Sequence, residues 1–330
     1  MARTVARPEP RRRLTWPPGA PRVGIHLSVQ KGLMPAARRA RQIGATALQI
    51  FSDNPTAWRR RPEPQADAAR FVAYTAAEGI GPVAVHASYL INLAGAAEPF
   101  ASQSVAGLVY ELQQAPAYGA TLVNTHIGSH RGEGAEEGLK RLAGRLAEIL
   151  AQTPAGVRLV LENAAGGGGM LGSTIEQLAE ILDAVPGAPD GLAFCLDTAH
   201  LWGAGYDIST VEGMARVVDR FEEVIGLDRL ALVHLNDSRS GLGSRMDRHQ
   251  HLGAGQIGPA GLSALLRDPR LAGRTTFVME TPGVDEGYDA VNVRRARMLL
   301  DGVLELPTLP ARALNVRRTV RVARRVRRPG

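Results

Sequence analysis

The sequence has 330 residues, of which 45% are apolar, and this is enough for one large α/β domain with a full core. No apolar run reaches the length of about 18 residues that a membrane span needs, and the arginine-rich start lacks the apolar stretch of a signal peptide. The single cysteine, Cys195, excludes an internal disulfide bond and favours a cytoplasmic location, with its thiol buried in an apolar run.

The net charge of +7 is concentrated at the two ends of the sequence. Residues 1–22 carry a net charge of +5 and residues 306–330 a net charge of +8, which leaves −6 for the part between them. We therefore expect a disordered basic extension over residues 1–20, a globular domain over 21–305 and an arginine-rich tail over 306–330. Basic segments of this kind attract polyanions.

Short apolar runs alternate with longer amphipathic runs along the globular part. The predicted strands are 23–27, 47–52, 82–86, 121–126, 157–162, 192–197, 230–235 and 275–280. The predicted helices are 33–43, 64–79, 98–118, 135–151, 174–184, 210–226, 258–267 and 286–303. Eight alternating pairs are typical of a (β/α)8 TIM barrel, an α/β fold. A doubly wound open sheet is the alternative fold.

Histidines and carboxylates occur repeatedly at the ends of the predicted strands or shortly after them. They are His86, His126, Glu162, Asp197, His200, His234, Asp247, His249 and Glu280. Taken singly, each could be a hydrogen-bonded structural residue or a helix cap. Taken together, so many ionisable groups at the ends of buried strands would repel one another or undergo large pKa shifts unless a cation is bound.

Five imidazoles and four carboxylates are ligands that suit several divalent metal ions, zinc above all. Side chains from so many strand ends converge only if the strands close into a ring, which favours the barrel over the open sheet. The sequence therefore predicts a metal site at the C-terminal face of a barrel, where enzymes of this fold place their chemistry. Of the other histidines, we expect His26 to support the site and His130 and His251 to lie outside the ligand set.

Several stretches resemble the endonuclease IV family, the zinc-dependent apurinic/apyrimidinic (AP) endonucleases of base-excision repair. They are HASYLIN, NTHIGSH, CLDTAHLWGAGYD, VHLNDSRSGLGSRMDRHQHLGAGQIG and METP, and the resemblance covers roughly residues 22–303. It implies three zinc ions per chain in a xylose isomerase-like TIM barrel. The implied ligands are His86 and His126 for the first ion, with Glu162 bridging it to the second. Those of the second ion are completed by Asp197, His234 and Glu280, and those of the third are His200, Asp247 and His249.

The resemblance also implies an activity and a partner. The partner is damaged double-stranded DNA, cleaved 5′ to an abasic site to give a 3′-hydroxyl and a 5′-deoxyribose phosphate, with removal of 3′-blocking groups as a further activity. Glu162 and Glu280 are the implied catalytic residues, and Tyr89, Asn54 and Trp58 the implied DNA-binding residues. We expect a monomer that does not bind membranes. The side chains between Asn54 and Trp58 are short, whereas the family commonly has a longer polar or basic side chain at this position.

Two other functions remain open from the sequence. Sugar isomerases and epimerases resembling xylose isomerase share the barrel, but they need no third metal ion and usually use a lysine at the sugar. The lysines here, Lys31 and Lys140, stand at no predicted strand end. A non-enzymatic damage-binding protein is the second alternative, and the full ligand set argues against it. Manganese in place of zinc in one of the metal sites is a further alternative.

Overall fold

The computed structural model describes residues 14–185 and 191–315, and within them eight parallel strands close into a barrel. The barrel strands are β1 (Arg22–His26), β2 (Ala47–Ile50), β3 (Val83–His86), β4 (Ala120–His126), β5 (Arg158–Glu162), β6 (Leu192–Asp197), β7 (Leu230–His234) and β10 (Thr276–Met279). Each strand pairs with its neighbours in chain order, and β10 closes the ring by pairing with both β7 and β1. The predicted barrel is confirmed, and the open sheet is wrong.

Helices follow the strands and cover the outside of the barrel. They are α1 (Leu33–Ile43), α2 (Ala68–Ala77), α3 (Phe100–Gln114), α4 (Ala135–Leu150), α5 (Ile175–Ala184), α6 (Thr198–Ala204), α7 (Val211–Val224), α8 (Pro259–Arg267), α9 (Asp289–Leu300) and α10 (Ala311–Leu314). Short 3-10 turns lie at Ala115–Tyr118 and Leu227–Arg229. A two-stranded antiparallel hairpin of β8 (Asp237–Ser238) and β9 (His249–Gln250) stands above the barrel beyond β7.

Two apolar clusters form the core. The larger one fills the space between the strands and the helices, as expected for a parallel sheet that is buried on both faces. The smaller one contains Ala84, Leu122, Val160, Ala193, Cys195, Ala231, Leu232 and Val278, which come from successive barrel strands and fill the barrel itself. Cys195 is fully buried there, as predicted, and burial raises the pKa of its thiol to about 12.

The described parts of the two basic segments pack on the barrel. Trp16 donates its indole N–H to the carbonyl of Gly44 at 2.7 Å, at the end of α1. Near the other end, Ala313 is buried in α10. Residues 1–13, 186–190 and 316–330 lie outside the described residues, so the predicted boundaries at 21 and 306 remain predictions. In the part of the chain that is described, no helix combines the length and the apolar character needed to cross a membrane.

Candidate metal centre

The nine predicted ligands all lie at the C-terminal face of the barrel. Five of them end strands: His86 in β3, His126 in β4, Glu162 in β5, Asp197 in β6 and His234 in β7. Glu280 directly follows β10, His200 lies in α6, His249 begins β9, and Asp247 stands two residues before it. Most of these side chains are buried, so the protein removes them from water and places them against one another.

Their ligand atoms form three neighbouring groups, and within each group all atoms lie within 4.8 Å of one another. The groups are His86, His126 and Glu162; Asp197, His234 and Glu280; and Asp197, His200 and His249. The first two match the predicted sets, whereas the third contains Asp197 where Asp247 was predicted. Asp247 is nevertheless adjacent, since its Oδ1 lies 3.0 Å from Nε2 of His249 and 3.5 Å from Nε2 of His200.

A further group of Glu162, Cys195 and His234 satisfies the same distance criterion. Glu162 and His234 also belong to the groups described above, and the buried thiol of Cys195 is the one new member. Because burial raises the pKa of Cys195 to about 12, this thiol stays protonated at neutral pH, and the protonated form is a poor metal ligand. We therefore assign Cys195 to the core.

Backbone carbonyls fix the orientation of three of the imidazoles. Nδ1 of His86 donates to the carbonyl of Ala87 at 2.7 Å, and Nδ1 of His200 donates to the carbonyl of Asn163 at 2.9 Å. Nδ1 of His249 donates to the carbonyl of Glu280 at 3.2 Å. A proton on Nδ1 leaves Nε2 with a free lone pair, which is the state in which histidine binds metal ions.

Buried amide side chains hold three more of these residues, and sequence analysis missed the amides. Asn124 donates to Oε2 of Glu162 at 2.6 Å, and Asn236 donates to Oδ2 of Asp197 at 2.7 Å. Gln49 in β2 accepts from Nε2 of His234 at 3.0 Å. Each of these amides interrupts or directly follows an apolar strand, and this is the sequence signal that could have revealed them.

Four ligand atoms are buried and have no hydrogen-bond partner among the described residues. They are Nε2 of His86, Oε1 of Glu162, Nδ1 of His234 and Nε2 of His249. Leaving buried polar atoms without a hydrogen bond is costly, so each such atom in a folded protein calls for an explanation. All four face other ligands at distances of 3.0 to 3.7 Å. Nitrogen and oxygen atoms placed in this way fit divalent cations such as zinc.

Charge coupling inside the cluster is strong. Burial alone would raise the pKa of Glu162, but the imidazoles of His126 and His234 outweigh burial and hold this pKa well below its usual value. Burial would likewise lower the pKa of His200, but the carboxylates of Asp197 and Asp247 raise it to about 10. The carboxylates therefore attract positive charge strongly, and a metal ion can supply that charge in place of protons.

The predicted DNA-binding residues lie on two adjoining loops at the same face. Tyr89, on the loop after β3, is half-buried with its ring 5.6 Å from that of His86. Asn54, on the loop after β2, is exposed and accepts hydrogen bonds from the backbone and hydroxyl of Thr56. Trp58, further along that loop, packs against Phe100 at the start of α3, with ring centroids 6.3 Å apart. Tyr89 is thus the nearest of the three to the metal ligands.

The other histidines lie where the sequence suggested. His26 contacts Glu280, with 3.0 Å between its Nδ1 and Oε1 of the carboxylate, and so supports the site from β1. His251 is buried next to α10, and His130 accepts hydrogen bonds from Gly132 and Gly134 in the loop after β4. Neither belongs to a ligand group.

Comparisons with known proteins agree with this geometry. The family described as xylose isomerase-like TIM barrel matches residues 37–300. Two curated relatives, each named probable endonuclease 4, are 37% identical: the one from Natronomonas pharaonis over 84% of this chain and 98% of its own, and the one from Geobacter sulfurreducens over 84% and 94%.

Solved structures give the same result. Endonuclease IV from Thermus thermophilus superposes with a TM-score of 0.73 at 41% identity, covering 86% of this chain and all of that one. A D-tagatose 3-epimerase-like protein has a TM-score of 0.64 at 18% identity, over 86% of this chain and 98% of its own, and this likeness shows only the shared fold. With the ligand pattern, the barrel and these relatives in agreement, the chain belongs to the endonuclease IV family.

Proposed function

We propose that this protein hydrolyses the phosphodiester 5′ to abasic sites in double-stranded DNA, with three zinc ions, and leaves a 3′-hydroxyl and a 5′-deoxyribose phosphate. The observation that carries the proposal is the close approach of the three ligand groups: two of them share Asp197, and Glu162 of the remaining group contacts His200 and His234. Adjoining cations are suited to the attacking and departing oxygens of a phosphodiester. The names and the identity of the relatives support the same activity.

The proposed ligands are the nine predicted residues. His86, His126 and Glu162 would hold the first ion; Glu162, Asp197, His234 and Glu280 the second; and His200, Asp247 and His249 the third. Bound zinc lowers the pKa of a coordinated water to about 7 and stabilises negative charge on a phosphoryl group. The ligand carboxylates carry fewer negative charges than three divalent ions carry positive ones, so an occupied centre attracts the DNA backbone.

Two carboxylates are the proposed catalytic residues. Oε1 of Glu280 accepts a hydrogen bond from Gln49 at 2.9 Å and contacts His26, which fixes the direction of the carboxylate. We propose that Glu280 orients the attacking water. Glu162, held by Asn124, keeps the first two ligand groups together.

Access to the centre requires the abasic nucleotide to leave the helix. Extrusion costs least where no base is paired, which favours abasic sites over intact nucleotides. We assign Tyr89, whose ring lies beside that of His86, the role of pressing into the duplex, and Asn54, on the neighbouring exposed loop, contact with the DNA backbone. Because Trp58 packs on Phe100, we assign it the support of that loop as well as contact with DNA.

Incision of a duplex with one abasic site tests the proposal. Zinc-loaded protein without added magnesium is expected to cut 5′ to the lesion and to leave an end that a polymerase extends directly. Glu162→Gln is expected to lower the rate by at least about a thousandfold while DNA binding persists. Glu137→Gln, at an exposed position of α4, is the matched control and is expected to retain the rate.

Other outcomes would refute the assignment. Turnover of a ketose without DNA cleavage would show a sugar epimerase, and binding of abasic DNA without cleavage by the zinc-loaded protein would show a damage-binding protein. A duplex with a 3′-phosphate or 3′-phosphoglycolate tests the further removal of 3′-blocking groups. We also propose a cytoplasmic monomer, and light scattering at micromolar concentration is expected to give the mass of one chain, 35.2 kDa.

A further inference from the structure

A buried carboxylate on α3 contacts both ends of the loop that follows β2. Oε2 of Glu111 accepts a hydrogen bond from the hydroxyl of Ser52, at the start of this loop. Oε1 of the same carboxylate lies 3.4 Å from Nη1 of Arg60, near the end of the loop. Glu111 and Ser52 are buried, and the side chain of Arg60 is only 11% exposed. One side chain therefore fixes both ends of residues 52–61, which we call the β2 loop.

Two side chains of the β2 loop also lie against the surface of α3. A Cβ atom added at Gly107 would lie 3.4 Å from Nη2 of Arg60 and 3.9 Å from the ring of Trp58, so both side chains approach the helix closely there. Cζ of Arg60 lies 5.8 Å from the ring centroid of Tyr110, a distance at which a guanidinium and an aromatic ring attract each other. The loop thus packs on the helix as well as contacting its carboxylate.

Hydrogen bonds make the β2 loop one unit with the loop after β3. Oδ2 of Asp53 accepts from the backbone N–H of Arg61 at 2.7 Å and so closes the β2 loop. The carbonyl of Pro55 accepts from the hydroxyl of Ser88 at 2.7 Å and from the backbone N–H of Tyr89 at 3.1 Å. All three proposed DNA-binding side chains therefore depend on the position of the β2 loop.

The Glu111 carboxyl is a poor source of stability. Burial raises its pKa to about 7, and the hydroxyl of Ser52 and the guanidinium of Arg60 lower this pKa only in part. A carboxyl whose pKa is raised by folding loses folding free energy when it ionises. The guanidinium nitrogens of Arg60 are buried and form no hydrogen bond with the residues that the structure describes. Because apolar side chains in place of such a pair are often equally stable, we look for the role of Glu111 in the position of the loop.

We propose that Glu111 is a positioning residue for DNA binding, which holds the β2 loop on α3 and thereby fixes where Asn54, Trp58 and Tyr89 meet the duplex. This inference rests on the proposed function, which assigns these three side chains to DNA. Glu111 acts through the loop, because its carboxylate is buried and contacts the two loop ends. A loop that is already ordered binds DNA without the entropic cost of ordering its side chains on binding.

Replacing both charges by apolar side chains tests the inference without leaving an unpaired charge. In Glu111→Leu combined with Arg60→Met, the melting temperature and the zinc content are expected to stay at native values. KM for a duplex with one abasic site is expected to rise at least about tenfold, with kcat at saturating DNA retained. Arg41→Met combined with Glu78→Leu removes an ion pair between α1 and the end of α2, and this matched control is expected to keep the native KM.

Proteolysis measures the position of the β2 loop without DNA or activity. Arg59 lies at an exposed position of the loop, and the bond that follows it is present in the native protein and in the variants. Trypsin is expected to cleave this bond at least about tenfold faster in the double variant, because proteolysis follows the population of the locally opened state. Mass spectrometry identifies the cut. Equal rates in the double variant and the control would overturn the inference.

A smaller change decides the question if the double variant does not fold. Ser52→Ala removes the hydroxyl at the start of the β2 loop and leaves Arg60 in place. KM and the rate of cleavage after Arg59 are each expected to rise by about three- to tenfold, which is the worth of one hydrogen bond. Ser102→Ala removes a hydrogen bond to Glu98 at an exposed position of α3 and is the matched control. Native values in Ser52→Ala would refute the inference.

The inference and the proposed function fail in different ways. If the zinc-loaded native protein does not incise abasic DNA, the proposed function is wrong, while proteolysis and the affinity for abasic duplex still test the β2 loop. If the native protein incises and the folded double variant keeps the native KM, the inference is wrong and the proposed function stands.

Discussion

Gln49 illustrates how one buried amide orients two ligands from different parts of the ring. Its Oε1 can only accept, so the hydrogen bond with Nε2 of His234 places the proton on that nitrogen and leaves Nδ1 free for a metal ion. Its Nε2 donates to Glu280 at 2.9 Å. Removing a side chain that forms hydrogen bonds with metal ligands typically lowers the metal affinity by about 10- to 100-fold.

Gln49→Leu is therefore expected to weaken the tightest-held zinc about 10- to 100-fold with little change in fold, because leucine fills a similar volume. Competition with a chromophoric chelator measures this affinity. Gln113→Leu, at an exposed position of α3, is the control. Equal zinc affinity in Gln49→Leu and the native protein would show that the amide does not orient the ligands.

Asp237 gives stability a dependence on pH that is separate from the metal centre. Burial raises the pKa of this carboxyl to about 6, although backbone N–H groups of Ser238, Gly255, Ile257 and Gly258 favour its charged form. A folded-state pKa above the unfolded value means that the stability contribution is present below about pH 4 and is lost as the pH rises through about 6. The full change amounts to about 3 kcal/mol.

Urea unfolding of native protein and Asp237→Asn between pH 4 and pH 8 measures this effect. The unfolding free energy of the native protein minus that of Asp237→Asn is expected to decrease between about pH 4 and pH 6 and to stay constant above pH 7. Asp183→Asn, at an exposed position of α5, is the control and is expected to show no such trend. A difference between native protein and Asp237→Asn that does not vary with pH would contradict the assignment.

At the scale of elements, long regular segments were predictable and short ones were not. The eight strands were recognised because each is an apolar run whose end carries a polar side chain, as in VRLVLE and LAFCLD. Helix α6 and the β8–β9 hairpin were missed because neither has enough residues for a periodic pattern. Thr198 holds the start of α6 through its hydroxyl, which donates to the carbonyl of Asn236 and shares its proton with the more distant carbonyl of His234, contacts that no local sequence signal shows.

The difference between long and short segments also explains which parts of the site could be predicted. The clustering of side chains from strand ends was predictable because a closed ring brings them together, whereas the proximity of Asp197 to His200 and His249 depends on α6. Asp197 caps α6 by accepting from the backbone N–H of His200 at 2.9 Å. A helical turn places these two residues side by side, whereas the resemblance to the family assigned them to different metal ions.

Helix α6 also supports the loop 239–248 that carries Asp247. The indole of Trp202 donates to the carbonyl of Ser240 at 2.9 Å, and Gly243 and Arg245 donate back to the backbone of α6. Trp202→Phe removes the indole donor and is expected to weaken the ion held by His200, His249 and Asp247 several-fold, lowering the zinc content at limiting free zinc. Trp16→Phe removes a comparable bond at α1 and is the control, and equal zinc content in both variants would contradict this role.

At the scale of the molecule, the barrel depends on cations for its charge balance. Five imidazoles and four carboxylates meet at one end of a domain whose residues 23–305 already carry a net charge of −6. Repulsion among the carboxylates is relieved by protons in the metal-free protein and by metal ions in the loaded protein. Bound metal ions are therefore expected to contribute to folding as well as to chemistry.

Removal of the metal is therefore expected to lower the melting temperature. An ion present at a hundred times its Kd stabilises the fold by about 2.7 kcal/mol, which corresponds to a shift of roughly 5 °C for a domain of this size. Calorimetry of protein treated with a chelator and then reloaded with zinc measures the loss and its recovery. His86→Ala combined with His234→Ala is expected to abolish most of the recovery, because it removes one ligand from each of two groups. A melting temperature that changes neither on chelator treatment nor on addition of zinc would show that the clustered side chains hold no ion.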